Sequence, residues 1–364
     1  MKKTMKLTRK IQIVADLPSQ EERKEVLDTL YRWQNRCFRA ANLIVTHLYV
    51  QEMIKDFLYL SEGVKYKLAD EKKDADGILL RSHSNCTYRV VSDRFKGEIP
   101  TNILDYLNHE LMGSFKKNCP EYWKGTRSLQ NFKRDMGFPF GTEGFRRLHY
   151  SEEKNAFCFR LFQIPFKTYL GKDFTDKHKL LQRVISGEVK LCTSRIKLEK
   201  GKIFWLPIFE IPKEKHCLKP GVVAEVSLSL EYPITVKIGR HRLQIGNKEE
   251  FLHRRLAIQA ARSRTHAGIS YCKSGKGTKR KLKALDRFSL TESNYVANRL
   301  HEYSRRLIDF CIKHQAGTII LLDLQEQSDI AKEEEFVIRN WSYYELTAKI
   351  KYKADKAGIE LITT

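Results

Sequence analysis

The residues best suited to chemistry in this sequence are basic ones that follow each other closely between positions 254 and 287. Arginine and lysine donate hydrogen bonds to phosphate oxygens, so a dense run of them predicts contact with a phosphate backbone. Glycines at 268, 275 and 277 interrupt the run, and we predict a flexible basic loop between two helices. The alternative is a solvated loop without a ligand. The predicted contacts are Arg254, Arg255, Arg262, Arg264, Lys276, Lys279, Arg280, Lys281, Lys283 and Arg287.

The charge of the whole chain favours a polyanionic partner. There are 67 Lys and Arg against 44 Asp and Glu in 364 residues, a formal net charge of +23, which is typical of proteins that bind nucleic acids. Arg299, Arg305 and Arg306 lie off the apolar stripe of the next predicted helix and extend the basic surface. No apolar run approaches the roughly 20 residues of a membrane span, and no apolar signal core follows the basic N-terminus. We expect no membrane association and a cytoplasmic location.

The eight cysteines are scattered, and none of them belongs to a pair with the close spacing of a zinc knuckle or a redox dithiol. Scattered cysteines in a cytosolic chain usually act as small buried apolar side chains. The sequence therefore predicts no structural zinc and no disulfide.

The first half of the chain combines a helical region with a β-rich one. Alternation over 6–14 predicts a first strand, and Ser19 with Glu22 three residues later predicts the capping box of a long amphipathic helix. Short helices with polar breaks follow over 61–135. The spans 157–162 and 189–211 are β-rich, with a turn at Lys200-Gly201. We predict a helical domain inserted into a small β domain whose first strand is the N-terminal one.

After a linker over 212–220, the order of elements predicts an RNase H-like domain. Three strands are expected between 222 and 245, then helices over 249–266 and 289–314. A buried strand over 318–324, a helix over 342–357 and a last strand over 359–362 complete the order.

Several stretches resemble one family. Asn340-Trp341-Ser342-Tyr343-Tyr344-Glu345-Leu346, with 350–354 and 357–359 behind it, is similar to the miniature type V-F CRISPR effectors and their transposon ancestors, the TnpB nucleases. The stretches 183–188 and 133–135 resemble the β domain of the same family. Trp341, Tyr343 and Tyr344 would either stack on bases or pack their helix onto the sheet, and we favour packing.

The resemblance implies a RuvC domain that cuts DNA with two Mg²⁺ ions held by closely spaced carboxylates. Where the family has its first acid, on the first strand, this sequence has Ser227; where it has its second, at the end of the fourth strand, this sequence has Leu322. The third acid follows a zinc ribbon in the family, and the sequence stops at Thr364 before such a segment. Whether it is a truncated piece stays open. Glu225 and Asp323 are poor substitutes, because one lies a strand repeat away and the other points to the opposite face.

These observations predict an α+β multidomain protein with a helical recognition lobe, a small β-barrel-like domain and a RuvC α/β domain without its zinc ribbon. The predicted boundaries are 1–18 for the first strand of the β (wedge-like) domain, 19–132 for the helical domain, 133–215 for the rest of the β domain and 216–364 for the RuvC-like domain. The resemblance implies that Lys133 and Arg134 stand at the entrance of the β domain, which grips a guide RNA.

The functional prediction is guide-RNA-dependent binding of double-stranded DNA without cleavage, used to control transcription. By analogy we favour recruitment of a sigma factor and RNA polymerase to the guided promoter. Steric repression, residual Mg²⁺-dependent cleavage, a dead subunit paired with an active nuclease and guide-independent RNA binding remain open alternatives, as does a homodimer. We expect no catalytic Mg²⁺ and no other cofactor besides the guide RNA.

Overall fold

The computed structural model of the chain describes residues 4–58, 83–171, 176–229, 231–272, 275, 277–322 and 343–363. The fold divides into two compact units, Lys6–Ile211 and a second one that comprises Met1–Met5 with Pro212–Thr364. The main sheet of the first unit has seven strands and that of the second has five, and each unit has its own helices.

Three helices of the first unit pack on each other, and the first of them begins where the sequence predicts. The Ser19 hydroxyl accepts a hydrogen bond from the Glu21 N–H at 3.1 Å, and a Glu22 carboxylate oxygen accepts one from the Ser19 N–H at 3.3 Å. The predicted capping box is therefore confirmed. The helices are α1 (Gln20–Leu58), α2 (His83–Phe95) and α3 (Thr101–Trp123).

The sheet of the first unit has seven strands, which are β2 (Ile11–Ala15), β3 (Phe138–Phe140), β4 (Phe145–Ser151), β5 (Ala156–Leu161), β6 (Ile164–Tyr169), β8 (Ser194–Glu199) and β9 (Lys202–Leu206). Their order across the sheet is β3-β8-β9-β2-β6-β5-β4. The N-terminal stretch that the alternation predicts as one strand is two, β1 (Thr4–Thr8) and β2, and β2 lies in the middle of this sheet. Lys200 and Gly201 join β8 to β9 with φ of 51° and 75°, the positive values that a two-residue hairpin turn requires.

The seven-stranded sheet is curled but open. Phe145 of β4 stacks on Trp205 of β9 with ring centroids 5.0 Å apart, although β2, β6 and β5 lie between those two strands in the sheet. The edge strands β3 and β4 do not pair with each other in the described residues. The prediction of a barrel-like domain is thus right about the curvature and wrong about closure. Beside this sheet lie α4 (Asp176–Ile185) and a three-stranded sheet of β1, β10 (Ile208–Pro212) and β7 (Lys190–Leu191).

The second unit has a five-stranded sheet of β11 (Lys219–Ser227), β12 (Ile234–Ile238), β13 (His241–Ile245), β14 (Ala316–Leu321) and β15 (Glu360–Thr363). The order across the sheet is β13-β12-β11-β14-β15. Strands β11 to β13 are antiparallel neighbours, whereas β14 runs parallel to both β11 and β15. The sequence of strands and helices is the predicted one, in a mixed α/β fold.

The helices of the second unit are α5 (Lys248–Ser270), α6 (Thr278–Lys313) and α7 (Tyr343–Ala357). They share one apolar core with one face of the sheet, where Val226, Val236 and Ile319 are buried against Leu307 and Ile350. The opposite face of β11, with Val223 and Glu225, is exposed.

Helix α6 begins eleven residues earlier than predicted, so the long basic loop is mostly helix. The prediction of a loop treated all three glycines as helix breakers. In the structure Gly268 lies inside α5, and Gly277, with φ of 85°, is the N-cap of α6. The residues that follow are rich in Lys, Arg, Leu and Ala, which are strong helix formers. The turn between the two helices is limited to 271–277.

Candidate nucleic-acid interface

Helices α5 and α6 form a basic hairpin, by which we mean residues 254–287 of the two helices and their turn. Exposed side chains here are Arg254, Arg262, Arg264, Lys279, Arg280, Lys283 and Arg287. Lys281 is half-buried, and its ammonium group donates to the Gly268 carbonyl and to the Cys272 sulfur, the latter at 3.1 Å. Lys276 lies outside the described residues. The structure therefore brings most of the predicted basic contacts onto one hairpin, where they follow helical spacing rather than a loop.

Arg255 is the exception among these predictions, because its side chain is inside the hairpin. It is 5% exposed, and its guanidinium donates two hydrogen bonds to Glu292, at 3.0 and 2.9 Å. Burial lowers the pKa of Arg255, and the hydrogen bonds with Glu292 act in the opposite direction. As a surface contact for phosphate the prediction for Arg255 is wrong, since its charge is neutralised between α5 and α6.

The three arginines predicted further along α6 differ in how strongly acidic side chains of the protein already hold them, and therefore in their availability for phosphate. Arg299 donates to Glu250 at 2.7 Å and to Glu302 at 2.9 Å, and hydrogen bonds with Tyr295 and Glu302 raise its pKa. Arg305 is exposed and pairs loosely with Asp309 at 3.2 Å. Arg306 is exposed. Arg299 is therefore mainly a brace between α5 and α6, while the other two extend the basic surface.

Lys133 and Arg134 lie in the first unit, on the segment that leads into β3, and both are exposed. Side chains of α1 fix this segment: Asn42 accepts from the Phe132 N–H at 2.9 Å, and Gln34 donates to the Met136 carbonyl at 3.1 Å. Asn42 and Gln34 could not be recognised as positioning residues from the sequence, because they lie about a hundred residues away in the chain. A groove of about 420 Å³ next to the segment has a mixed lining of apolar and charged side chains, the charged ones being Asp135 of the segment itself with Glu110, Arg195 and Lys197.

In the second unit, Ser227 and Leu322 are neighbours at the carboxyl ends of the two central parallel strands. Val226 of β11 is in register with Leu321 of β14, and the Leu322 N–H donates to the Val226 carbonyl at 3.0 Å. Leu322 is 47% exposed and Ser227 half-buried. Glu225 lies two residues before Ser227 and shares its exposed face, whereas Asp323 is outside the described residues. The carboxyl ends of parallel strands are where α/β sheets commonly place their ligands.

The aromatic residues of the family-like stretch separate into two roles. Tyr343 packs against the apolar core of the second unit, and burial raises its pKa to about 12. Tyr344 is 85% exposed. Trp341 lies outside the described residues. The preference for packing therefore holds for Tyr343 and is wrong for Tyr344.

Within the ranges that the structure describes, no group of three or more His, Cys, Asp or Glu side chains is arranged to hold a metal ion. None of the helices described there combines the length and the apolar character needed to cross a membrane. The cysteines described are all free thiols, and burial raises the pKa of Cys37 and of Cys311 to about 12.

Comparison with known proteins gives relatives in one family, although no family model matches the sequence. The chain is 24% identical over 267 residues to the CRISPR-associated endodeoxyribonuclease Cas12f1 of Sulfoacidibacillus thermotolerans, which covers 68% of this chain and 62% of that protein. It is 27% identical over 205 residues to the protein of the same name from Syntrophomonas palmitatica, covering 54% of this chain and 39% of the relative. The chain thus spans less than two thirds of the length of these relatives.

A solved structure confirms the fold. The chain in a cryo-EM structure of a Cas12f1-sgRNA-target DNA complex superposes with a TM-score of 0.63 and 17% identity, covering 100% of this chain and 89% of that one. The resemblance drawn from the Trp341-to-Ala354 region is therefore confirmed, and the homologues of this chain are the Cas12f1 effectors of type V-F CRISPR systems.

Proposed function

We propose that the chain binds DNA at sites chosen by a guide RNA and does not cut the DNA. The observation that carries the second part is the pair Ser227 and Leu322 at the ends of β11 and β14. Mg²⁺ requires oxygen ligands at near-ideal octahedral positions, usually including carboxylates. A leucine offers no ligand and a serine offers one neutral oxygen. Glu225 lies on the same face of the sheet as Ser227, but it precedes Ser227 by two strand residues, a distance of about 7 Å.

Support for guided binding comes from the relatives and from the charge. The homologues are Cas12f1 proteins, and the similar fold belongs to a protein in complex with sgRNA and target DNA. With a net charge of +23 and an exposed basic hairpin, the chain is suited to hold a guide RNA and a target duplex by their phosphates. Base pairing would then select the sequence.

The experiment is to express the chain with its native locus, purify it and sequence the RNA that comes with it. One dominant structured RNA with a variable end is expected. A mixture of cellular RNAs would refute guiding and leave guide-independent RNA binding.

The same complex then tests cleavage. We expect the complex to retard a matched DNA duplex in a gel and to leave a mismatched duplex unbound. The matched duplex should stay uncut in Mg²⁺, as it does in EDTA. A specific alternative is favoured by the relatives, which are named endodeoxyribonucleases. If a Mg²⁺-dependent product forms and disappears in Glu225→Gln, displaced ligands have restored the nuclease and our proposal fails.

A guided protein that does not cut would act by occupying DNA, and we propose that it controls transcription by recruiting a sigma factor and RNA polymerase. A reporter decides between this and steric repression. Activation that depends on one sigma factor, with the guide aimed upstream of the promoter, supports recruitment. Repression at every guide position would rule out recruitment. A homodimer remains a prediction, to be tested by light scattering of the RNA-bound complex.

A further inference from the structure

Three basic side chains meet between α6 and α7, in a place that the proposed function does not use. His301 lies on α6, and Lys349 and Lys353 lie one turn apart on α7. The Lys353 ammonium donates to the His301 carbonyl and to the Ser304 hydroxyl, the latter at 2.9 Å. The Lys349 ammonium lies 3.3 Å from Nε2 of the His301 ring. We call His301, Lys349 and Lys353 the α6–α7 basic cluster.

The cluster has an excess of positive charge. Its two lysines are half-buried, and neither ammonium contacts a carboxylate in the ranges that the structure describes. The other charged groups that act on Lys353 are Arg305, Asp309 and Lys356. Arg305 and Asp309 pair with each other at 3.2 Å, and Lys356 pairs with Glu214 at 2.8 Å. The nearby acids are therefore already paired, and an anion from solution would find uncompensated cations here.

The crowding of cations keeps part of the cluster uncharged. Because Lys349 donates to Nε2 of His301, that nitrogen is an acceptor and the ring is neutral. Burial, with the charges of the two lysines, lowers the pKa of His301. Burial, with the charges of Arg305 and Lys349, lowers the pKa of Lys353 from 10.5 to about 8. At about pH 7.5, roughly one Lys353 in four is then a neutral amine, compared with about one ordinary lysine in a thousand.

The hydrogen bonds of Lys353 leave its nitrogen able to react. Ser304 is fully buried, and its hydroxyl donates to the Leu300 carbonyl at 2.6 Å, so it accepts from Lys353. A neutral amine that donates both hydrogens to α6 has its lone pair directed away from that helix. The Lys353 side chain is partly exposed, and a desolvated lysine next to other cations is the usual form of an activated amine nucleophile.

We propose that Lys353 is a modification site that small acyl phosphates, such as acetyl phosphate, acylate without an enzyme. Lys349 and Arg305 hold the phosphate group of the donor by charge-assisted hydrogen bonds. The lone pair of the Lys353 amine attacks the carbonyl carbon, and a C–N bond forms. The C–O bond to the phosphate breaks, its electron pair leaves with the phosphate, and the amine proton goes to the phosphate. The proposal goes beyond the proposed function and does not depend on it.

Acylation would also weaken the contact between α6 and α7. The nitrogen of the amide product has one hydrogen, so it cannot donate to both the His301 carbonyl and the Ser304 hydroxyl. The acyl group adds volume next to a packed interface, which is destabilising. We therefore expect the acetylated protein to melt at a lower temperature than the unmodified one.

The test incubates the full chain with acetyl phosphate and follows acetylation of each lysine by peptide mass spectrometry. At about pH 7.5, Lys353 should react at least about 10-fold faster than Lys351, an exposed lysine of the same helix, because the larger neutral fraction outweighs the poorer access. The rate at Lys353 should rise with pH and level off above about pH 8, as its amine loses its proton. Equal rates at the two lysines would overturn the proposal.

The phosphate contact is tested with a second reagent, the N-hydroxysuccinimide ester of acetic acid, which has no phosphate. In Lys349→Gln the ratio of the Lys353 rate with acetyl phosphate to the rate with the ester should fall about 2- to 5-fold, the value of one solvent-exposed charge contact. The ratio corrects for any change in the amine itself. Lys351→Gln is the matched control and should leave the ratio as in the wild type. An unchanged ratio in Lys349→Gln would contradict phosphate binding by the cluster.

A last variant connects the modification to the helix contact. Lys353→Arg keeps a cation at this position and is not acetylated under the same conditions. Treatment with acetyl phosphate should lower the melting temperature of the wild type and leave that of Lys353→Arg unchanged. If both proteins lose the same amount, acetylation at other lysines is responsible and Lys353 is not the site that matters.

Discussion

The two larger sheets of this protein, the seven-stranded and the five-stranded one, differ in how each covers its buried face. The seven-stranded sheet curls, and its inside is filled by rings such as Phe145, Phe159, Phe166 and Trp205, with centroids 4.7 to 6.0 Å apart. The five-stranded sheet packs its Val and Ile side chains against helices that supply Leu and Ile. A sheet that curls over itself needs bulky side chains to bridge its own interior, whereas helices bring a second layer close enough for aliphatic ones.

This difference also affects the open faces. In the curled sheet, polar and basic side chains such as Gln12 and Arg160 alternate with buried ones, next to the exposed ring of Tyr169. On the open face of the other sheet, Val223, Leu322 and Ile362 are exposed. The first unit thus presents exposed arginines on its strands, and the second has most of its predicted basic contacts on the basic hairpin.

The largest effect is expected inside the curled sheet. Trp205→Ala should lower the free energy of unfolding of the first unit by about 3–5 kcal/mol, because it empties a fully buried aromatic site. Its neighbour in β9 is the matched control: Phe204→Ala, on the outer face, should cost about 1 kcal/mol or less. Urea unfolding monitored by circular dichroism measures both. Similar losses in the two variants would mean that the inner and outer faces are not distinct.

The next effect concerns the basic hairpin, where a buried ion pair between Arg255 and Glu292 connects α5 to α6. The other helix contacts of the second unit are mainly apolar. The buried residues of α5 are Phe251 and Arg255. Glu292→Ala leaves the Arg255 guanidinium buried without its carboxylate, which should destabilise the hairpin by about 3 kcal/mol. Hydrogen exchange of α5 amides measures this. Arg262→Ala, at an exposed position of the same helix, should leave the exchange unchanged; protection that survives in Glu292→Ala would show that the ion pair is dispensable.

The third prediction separates the surface role of the hairpin from its structure. Replacing Lys279, Arg280 and Lys283 together by Gln should weaken binding to duplex DNA and reduce the salt slope by about 0.9 for each phosphate that the hairpin no longer neutralises. The melting temperature should stay the same, because all three side chains are exposed. Fluorescence anisotropy at several salt concentrations measures the slope. A triple variant with an unchanged slope would place the DNA elsewhere.

What the sequence could predict was local. The capping box at Ser19, the hairpin turn at Lys200-Gly201 and the order of elements in the second unit depend on residues a few positions apart, and all three agree with the structure. The positions of Ser227 and Leu322 on the first and fourth strands of the second unit came from the family resemblance, and the register of β11 with β14 then places them side by side. Local patterns are reliable because the hydrogen bonds they require close within one turn of chain.

What the sequence could not predict depends on distant partners. The burial of Arg255 requires Glu292, 37 residues away on another helix. The position of Arg146 on β4 directly opposite Arg160 on β5 exists only once the strand register is fixed, and a shift by one residue would turn each side chain to the other face. The early start of α6 was missed for another reason: flanking glycines were taken to outweigh a strongly helix-forming run.

The smallest effect is expected where α7 packs on α6. The Lys353 ammonium donates to the His301 carbonyl and to the Ser304 hydroxyl, the latter at 2.9 Å. Burial, together with the nearby charges of Arg305 and Lys349, lowers the pKa of Lys353 from 10.5 to about 8. Between those two pH values the unfolded chain binds a proton that the folded one releases, so stability should rise with pH across this window.

Lys353→Met should remove this contribution. The free energy of unfolding of the wild type, relative to the variant, should therefore increase as the pH is raised from about 8 to 10.5, by a modest amount because the ammonium is partly in contact with solvent. Urea titrations at several pH values in this range give the difference. Lys351→Met removes an exposed lysine of the same helix and serves as the control. If this difference in the free energy of unfolding falls as the pH rises, the folded state favours the charged ammonium. The Lys353 contact between α6 and α7 would then behave as a solvated surface interaction and not as part of a buried interface.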